Sequence, residues 1–144
     1  VAHSLLLGCT KMGMQVALAS PEGYQPEPEI VRTAQKNAAA SGGSVIITTD
    51  PVQAAREADV LYTDVWASMG QEAESEARKK VFASYQINAQ LLKEAKPEAI
   101  VMHCLPAHRG EEITAEVFEG PQSVVFDEAE NRLHAHKAIM ALLM

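Results

Sequence analysis

Three short segments of the sequence concentrate side chains that could bind or transform a small molecule. The first, residues 64–70, offers the carboxylate of Asp64, the hydroxyl of Ser68 and, in Gly70, a glycine that lets backbone N–H groups approach a ligand. This set suits a zwitterionic amino acid, because a carboxylate can hold an ammonium group while hydroxyl and N–H groups hold a carboxylate. The alternative is that Asp64 and Ser68 only cap the helix that follows.

The second segment, residues 103–110, places Cys104 between His103 and the cationic Arg109. A thiol near cationic groups could have a lowered pKa and act as a nucleophile, a proton acceptor or a polar contact. The alternatives are an inert buried thiol and a core histidine bonded to backbone. A zinc site of His103, Cys104 and His108 is disfavoured, because neighbouring residues of a strand point to opposite faces.

The third segment, residues 127–132, carries Arg132 near the start of a predicted helix, where acidic residues are preferred. That position costs stability unless an anion or carboxylate is nearby, so Arg132 is a candidate anion contact. The alternative is an ion pair with Glu128 or Glu130. The sequence has no glycine-rich dinucleotide motif, no phosphate loop followed by lysine and no serine-hydrolase elbow.

The hydrophobic pattern predicts alternating strands and helices that position these segments. Strands are expected at 15–19, 44–49, 59–65, 99–105 and 123–126, and helices at 1–12, 29–40, 51–58, 72–84, from 88 onward and after the fifth strand. Asp50 should begin the third helix in a capping box with Gln53, and Asn88 should begin another.

The predicted strands are nearly continuous apolar runs, which is typical of a parallel sheet covered on both faces. The fold class is therefore α/β, a doubly wound, Rossmann-like parallel sheet whose ligands gather where the strands end. Since such domains usually begin with a strand and this chain begins with a helix, we expect the first strand to be missing.

Composition limits the remaining possibilities. A chain of 144 residues with 47% hydrophobic residues fits one domain, and a net charge of −7 argues against nucleic-acid binding. No segment approaches the roughly 20 apolar residues of a membrane span, so we expect a soluble, cytoplasmic protein. Cys9 should lie in the core, and both cysteines should be free thiols.

Taken in order, the three segments resemble ornithine carbamoyltransferases of the aspartate/ornithine carbamoyltransferase family. The Ser68-Met69-Gly70 loop and the run His103-Cys104-Leu105-Pro106 are specific when they occur together, and the likeness extends over nearly the whole chain. The resemblance implies transfer of a carbamoyl group from carbamoyl phosphate to the side-chain amine of L-ornithine, giving L-citrulline and phosphate. It also implies a homotrimer that uses neither cofactor nor metal.

The same resemblance implies roles for individual residues. Asp64, Ser68 and the backbone of Met69 would hold ornithine, Cys104 and Leu105 would lie where the amine meets the carbamoyl group, and Arg132 would contact carbamoyl phosphate. A Cys104 thiolate could then accept the proton of the amine, with the Asp64 carboxylate as the counter-charge to the ammonium group. Direct attack by the amine is favoured over a covalent intermediate on Cys104.

The resemblance covers only one half of such an enzyme. Residues 1–144 correspond to the ornithine-binding domain, whereas the carbamoyl-phosphate-binding domain with its phosphate loop is absent, so the isolated chain is expected to be inactive. Two alternatives stay open: a non-catalytic module that binds an amino acid, and a carbamoyltransferase for another amine, putrescine or aspartate. The Ser68-Met69-Gly70 loop argues against putrescine, which lacks an α-amino-acid head group.

Overall fold

The computed structural model describes residues 1–67 and 75–144 of the chain. These residues form two compact units, 1–56 and 57–144, which we describe one at a time. Each unit contains one pair of parallel strands together with α-helices. The α/β class and the parallel strand direction that the sequence predicts are therefore confirmed.

The first unit is a helix-covered pair of strands. Its elements are α1 (Ala2–Lys11), β1 (Gln15–Ala19), α2 (Pro28–Ser41), β2 (Ser44–Thr48) and α3 (Pro51–Ala55). The strands pair in parallel, with Gln15 opposite Ser44 and Ala19 opposite Thr48. Helix α1 packs on α2, and the residues buried there are Leu6, Thr10, Ala34 and Ala38. Cys9 is only half-buried, so it lies at the margin of this core.

The turn from α2 into β2 requires glycine at both of its positions. Gly42 ends α2 in the left-handed conformation, with φ of +85°, and its N–H donates to the carbonyl of Ala38. A Cβ on Gly43 would lie 2.5 Å from the carbonyl oxygen of Met14, closer than any side chain tolerates. The Gly-Gly pair thus lets the chain turn against its neighbour and enter β2.

Asp50 begins α3 as predicted, but the predicted capping box between Asp50 and Gln53 does not form. The Asp50 carboxylate accepts hydrogen bonds from the N–H groups of Val52 and Gln53, at 2.9 and 3.2 Å. The Gln53 side chain instead accepts from the Thr48 hydroxyl, and that hydroxyl accepts from the Asp50 N–H at 3.1 Å. Thr48, at the end of β2, takes the place that the capping box would give to Gln53.

The second unit contains the remaining strand pair. Its elements are β3 (Val60–Thr63), α4 (Ser75–Phe82), a 3-10 turn (Ala83–Tyr85), α5 (Ala89–Leu92), β4 (Ile100–His103), α6 (Ala115–Phe118) and α7 (Val125–Leu143). Strands β3 and β4 pair in parallel, with Val60 opposite Ile100 and Thr63 opposite His103. Asn88 caps α5 as predicted, since its side chain accepts from the N–H groups of Gln90 and Leu91.

The core of this unit lies around β4. Its most deeply buried apolar residues are Ile87, Ala99, Val101, Ile113, Val117, Phe118 and Val125. Two charged or polar side chains, His103 and Glu112, are buried with them. Because a buried carboxylate is costly unless it finds hydrogen-bond donors, Glu112 constrains the segment around it.

The predicted fifth strand at 123–126 is wrong. Val101 donates to the carbonyl of Gln122 and accepts from the N–H of Val124, which makes a single parallel bridge between Val101 and Ser123. The chain then turns into α7 at Val125, a helix with acidic residues in its first turn. Apolar residues 123–126 read as a strand in isolation, but their pairing stops after one residue because the helix begins.

The amphipathic spacing of Ile139, Leu142 and Leu143 in the sequence predicts that helix α7 buries an apolar face. All three are exposed in the described structure, Leu142 to 84%, and the buried residue of the helix is Val125. Among the described residues, no helix is both long enough and apolar enough to cross a membrane.

One carboxylate joins α7 to the ends of both strands. Glu128, in the first turns of α7, accepts a hydrogen bond from the Tyr62 hydroxyl at 2.8 Å through Oε1. Its Oε2 accepts from the backbone N–H of His103 at 3.0 Å. Burial and the adjacent Glu128 carboxylate raise the pKa of Tyr62, so the hydroxyl stays a donor at neutral pH. The carboxylate therefore fixes the start of α7 on β3 and β4.

We predict that Glu128→Ala destabilises the chain by about 1–3 kcal/mol, because the Tyr62 hydroxyl and the His103 N–H both lose their acceptor. Urea unfolding followed by circular dichroism measures the change. Glu130→Ala is the matched control on the same helix, and since Glu130 is exposed we expect its effect to stay within about 0.5 kcal/mol. Equal effects of the two substitutions would contradict this role for Glu128.

Candidate functional site

The ends of β3 and β4 bring together two of the residues singled out from the sequence. Thr63 and His103 are partners in the parallel register, so the residues that follow them, Asp64 and Cys104, leave the strands side by side. The Cys104 thiol donates a hydrogen bond to Oδ1 of Asp64 at 3.0 Å, although 40 residues separate them in sequence. Both side chains are half-buried, so they remain within reach of a ligand.

Burial and the Asp64 carboxylate together keep the thiol protonated. Burial, followed by the hydrogen bond to Asp64 and the charge of that carboxylate, raises the pKa of Cys104 to about 11. The thiol is therefore protonated at neutral pH, and the hypothesis of a lowered pKa does not hold in this structure. The cation that suggested it points elsewhere: the Arg109 guanidinium pairs with Glu119 at 2.5 Å and lies 4.2 Å from the centre of the Phe118 ring.

His103 is a buried histidine that organises the loop after β4. Its Nδ1 accepts a hydrogen bond from the backbone N–H of Leu105 at 2.9 Å, which leaves the proton on Nε2. Nε2 lies 3.1 Å from Oε1 of Glu112 and donates to it. Since both ring nitrogens are engaged, His103 does not offer a metal ligand, and the zinc alternative of His103, Cys104 and His108 is not supported.

Glu112 is the carboxylate that holds this arrangement. Burial alone would raise its pKa, but the hydrogen bonds from His103 and from the His108 N–H, the latter at 2.6 Å, outweigh burial and the pKa is lowered. The ionised carboxylate thus fixes the His103 ring, and the ring fixes Leu105. Leu105 has a φ of +54°, a conformation that a residue with a side chain rarely adopts and that these contacts stabilise.

Arg132, the remaining candidate, lines the same cleft as Cys104. An open cleft of about 720 Å³ is lined by His103, Cys104, Leu105 and Pro106 from the loop and by Glu128 and Arg132 from α7. Arg132 is the eighth residue of α7, counted from Val125, and not at its start. Its side chain is exposed and makes no ion pair within residues 1–67 and 75–144; Glu128 bonds Tyr62 and His103, and Glu130 bonds His134.

Two expected ligand contacts, Ser68 and Met69, lie outside the described residues, as does the capping of a helix by Asp64 and Ser68. The described residues add three that sequence reasoning did not place at the site: Tyr62, Glu112 and Glu128. No local signal marks Glu112, because Glu111-Glu112 reads as a solvated acidic pair. Its burial follows only from the packing of the segment after β4.

The comparisons with known proteins agree on one family. The model for the Asp/Orn binding domain of the aspartate/ornithine carbamoyltransferases matches residues 1–143. Over all 144 residues the chain is 62% identical to an ornithine carbamoyltransferase of Thermococcus kodakarensis and 66% identical to one of Symbiobacterium thermophilum. In each case it covers 46% of the relative, so the chain spans about half the length of these curated relatives.

Solved structures give the same result for the fold. The ornithine carbamoyltransferase of Pyrococcus furiosus superposes with a TM-score of 0.95 at 58% identity, over 100% of this chain and 46% of that one. An acetylornithine transcarbamylase complexed with acetylcitrulline superposes with a TM-score of 0.87 at 34% identity, over 100% of this chain and 44% of that one. The chain therefore belongs to the aspartate/ornithine carbamoyltransferase family, of which it carries the Asp/Orn binding domain.

Proposed function

We propose that this chain is the ornithine-binding half of an ornithine carbamoyltransferase, which transfers a carbamoyl group from carbamoyl phosphate to the side-chain amine of L-ornithine. The observation that carries the proposal is the contact between the Asp64 carboxylate and the Cys104 thiol beside the cleft that Arg132 lines. The Asp64 carboxylate can hold an amine, and Arg132, which makes no ion pair within residues 1–67 and 75–144, can hold a phosphate. The names of relatives at 57–66% identity support the same substrate.

The reaction is an acyl transfer that needs a neutral amine. The amine nitrogen forms a bond to the carbamoyl carbon, the bond from that carbon to the phosphate oxygen breaks, and citrulline and phosphate result. The proton that the nitrogen releases needs an acceptor, and Cys104 is already protonated at neutral pH. We therefore propose that the Asp64 carboxylate contacts the ammonium group and is the nearest proton acceptor. Cys104 acts instead as a hydrogen-bond donor through its S–H.

The carboxylate head of ornithine would be held by the Ser68 hydroxyl and by the backbone of Met69, a part of the proposal that rests on the resemblance alone. Leu105 would lie beside the reacting carbon. Arg132 supplies a single positive charge, whereas a phosphate group at neutral pH carries close to two negative ones. We propose that the other donors come from a carbamoyl-phosphate-binding half and from neighbouring subunits of a homotrimer.

The alternative functions require different groups at the site. A non-catalytic module would bind an amino acid but transfer nothing, even when joined to a phosphate-binding half. A putrescine enzyme would not need groups for an α-carboxylate, and an aspartate enzyme would need cations where Asp64 places a negative charge. The Asp64 carboxylate favours a substrate with an ammonium group in that position over one with a second carboxylate, and the Ser68-Met69-Gly70 loop favours an α-amino-acid head group over putrescine.

We predict that the 144-residue chain alone makes no citrulline, and that the chain fused to the N-terminal half of the Thermococcus kodakarensis relative does. Citrulline formation from ornithine and carbamoyl phosphate is the measurement, with aspartate and putrescine assayed in parallel. Turnover by the chain alone at ordinary enzyme rates, above about 1 s⁻¹, would contradict the two-half proposal. A faster reaction with putrescine or aspartate would show that this amine, and not ornithine, is the substrate.

In the active fusion, Asp64→Asn should lower kcat/KM for ornithine, because the ammonium loses its charged partner. The decrease should correspond to a loss of about 2–4 kcal/mol of transition-state stabilisation. The matched control is Asp59→Asn, which lies before the opposite end of the same strand, is 75% exposed and pairs with Lys96. We expect that control to leave ornithine kinetics unchanged. If Asp64→Asn behaves like Asp59→Asn, Asp64 does not bind the substrate.

The protonated state of Cys104 makes a separate prediction, tested on the chain with Cys9→Ser so that one thiol remains. Alkylation by iodoacetamide should follow a pKa of about 11, far above the ordinary thiol value, and should be slow at neutral pH. Asp64→Asn should move that profile to lower pH, because the carboxylate disfavours the thiolate. A profile centred near pH 7 would show that Cys104 is a reactive thiolate after all.

A further inference from the structure

A second group of potential ligands lies in the turn between β4 and α6. One donor atom each from His108, Glu111 and Glu112 can be chosen so that all three lie within 4.8 Å of one another. His108 and Glu111 are accessible at the surface, whereas the Glu112 side chain is fully buried. The group therefore opens to solvent on one side and rests on a buried carboxylate on the other.

One oxygen of that carboxylate is unexplained by the contacts described above. Oε1 of Glu112 accepts from His103 and from the His108 N–H. Oε2 is buried and has no hydrogen-bond partner among the described residues. An ionised oxygen left in this state is costly, at about 1–3 kcal/mol or more, so a missing partner is the simplest physical explanation.

The distance between Oε2 and the His108 ring points to a metal ion as that partner. Nδ1 of His108 lies 3.8 Å from Oε2 of Glu112, which is too far for a hydrogen bond. Two ligands of one tetrahedral Zn²⁺ ion, each about 2.0–2.2 Å from the metal, lie roughly 3.3–3.6 Å apart. The 3.8 Å between the two atoms is slightly wider than this range, so a small rotation of the exposed His108 ring lets one ion bridge them.

We propose that His108, Glu111 and Glu112 bind a divalent transition-metal ion of the zinc class. One imidazole nitrogen and two carboxylate oxygens suit such an ion, whereas Mg²⁺ and Ca²⁺ prefer oxygen ligands throughout. A water molecule completes four-coordination on the exposed side. The ion gives the buried Oε2 its partner and leaves Oε1 bonded to His103.

The turn that carries the ligands is held by its own contacts. The Gln86 side-chain amide donates to the carbonyls of Gly110 and Glu111, at 2.9 and 2.6 Å. The Gly110 N–H donates to the carbonyl of Ile113 at 2.8 Å, and Glu111 donates to the carbonyl of His108 at 3.0 Å. Because the backbone is fixed before the ion arrives, less ordering is needed when it binds.

One neighbouring cation opposes the ion. Lys79, on α4, lies 3.0 Å from Oε1 of Glu111 and 3.2 Å from Oε1 of Glu76. Its ammonium competes with the metal for Glu111 and so limits the affinity of the site. Removing that charge should strengthen metal binding, which is the opposite of what removal of a ligand does.

The test is Zn²⁺ titration of the chain by calorimetry, with Cys9→Ser and Cys104→Ser introduced so that thiols do not bind the ion. We expect one Zn²⁺ per chain and a higher melting temperature in excess Zn²⁺. His108→Ala and Glu111→Gln should each weaken binding by about 10-fold or more, and Lys79→Met should tighten it. His134→Ala is the matched control, because His134 has the same 54% side-chain exposure and also faces a glutamate.

Several results would overturn the proposal. Equal losses from His108→Ala and His134→Ala would mean non-specific surface binding. A destabilising effect of His108→Ala that Zn²⁺ does not alter would mean that protonated His108 is itself the partner of Glu112. Co²⁺ added to the chain with its thiols intact should give no thiolate charge-transfer absorption, and a strong band would place the metal on cysteine. None of these outcomes depends on the carbamoyl-transfer proposal.

Discussion

A buried carboxylate must find hydrogen-bond donors, and in this chain Glu112 finds them at both ends of the loop after β4. The His103 ring donates from one side and the His108 backbone from the other. The ring in turn accepts from Leu105, so one charged group determines the conformation of residues 103–108. The orientation of the Cys104 thiol follows from this constraint, since Cys104 lies between two residues whose positions are fixed.

A second carboxylate, that of Glu128, fixes the α7 side of the cleft. Glu128 accepts from Tyr62 at the end of β3 and from the His103 backbone at the end of β4. The Glu128 carboxylate is directed at these two donors, and the structure has no ion pair between Glu128 and Arg132, which lies one turn later. Among the residues that the structure describes, Arg132 has no ion-pair partner, so its positive charge at the cleft is available to an anionic ligand.

The protonation states within the site follow from which charges lie closest. Cys104 keeps its proton because the thiol is partly buried and has the Asp64 carboxylate as its neighbour. The Arg109 guanidinium does not offset these effects, since it contacts Glu119 and the Phe118 ring instead. Glu112 has donors as its neighbours and stays ionised despite burial. Residue type alone predicted neither protonation state, because an arginine beside a thiol lowers the thiol pKa, whereas burial and a neighbouring carboxylate raise it.

The sequence by itself determined the α/β class, the parallel strands and the approximate positions of β1 to β4, because hydrophobic periodicity and cap residues are local signals. It also predicted that the candidate site lies where the strands end. It also carried the family resemblance in residues 64–70 and 103–106. Only the tertiary structure decided that 123–126 makes one bridge before α7, that Thr48 replaces Gln53 at the third helix, and that Glu112 is buried. The physical reason is that burial and hydrogen-bond partners are set by residues distant in sequence, as between Asp64 and Cys104, and such neighbours leave no local pattern.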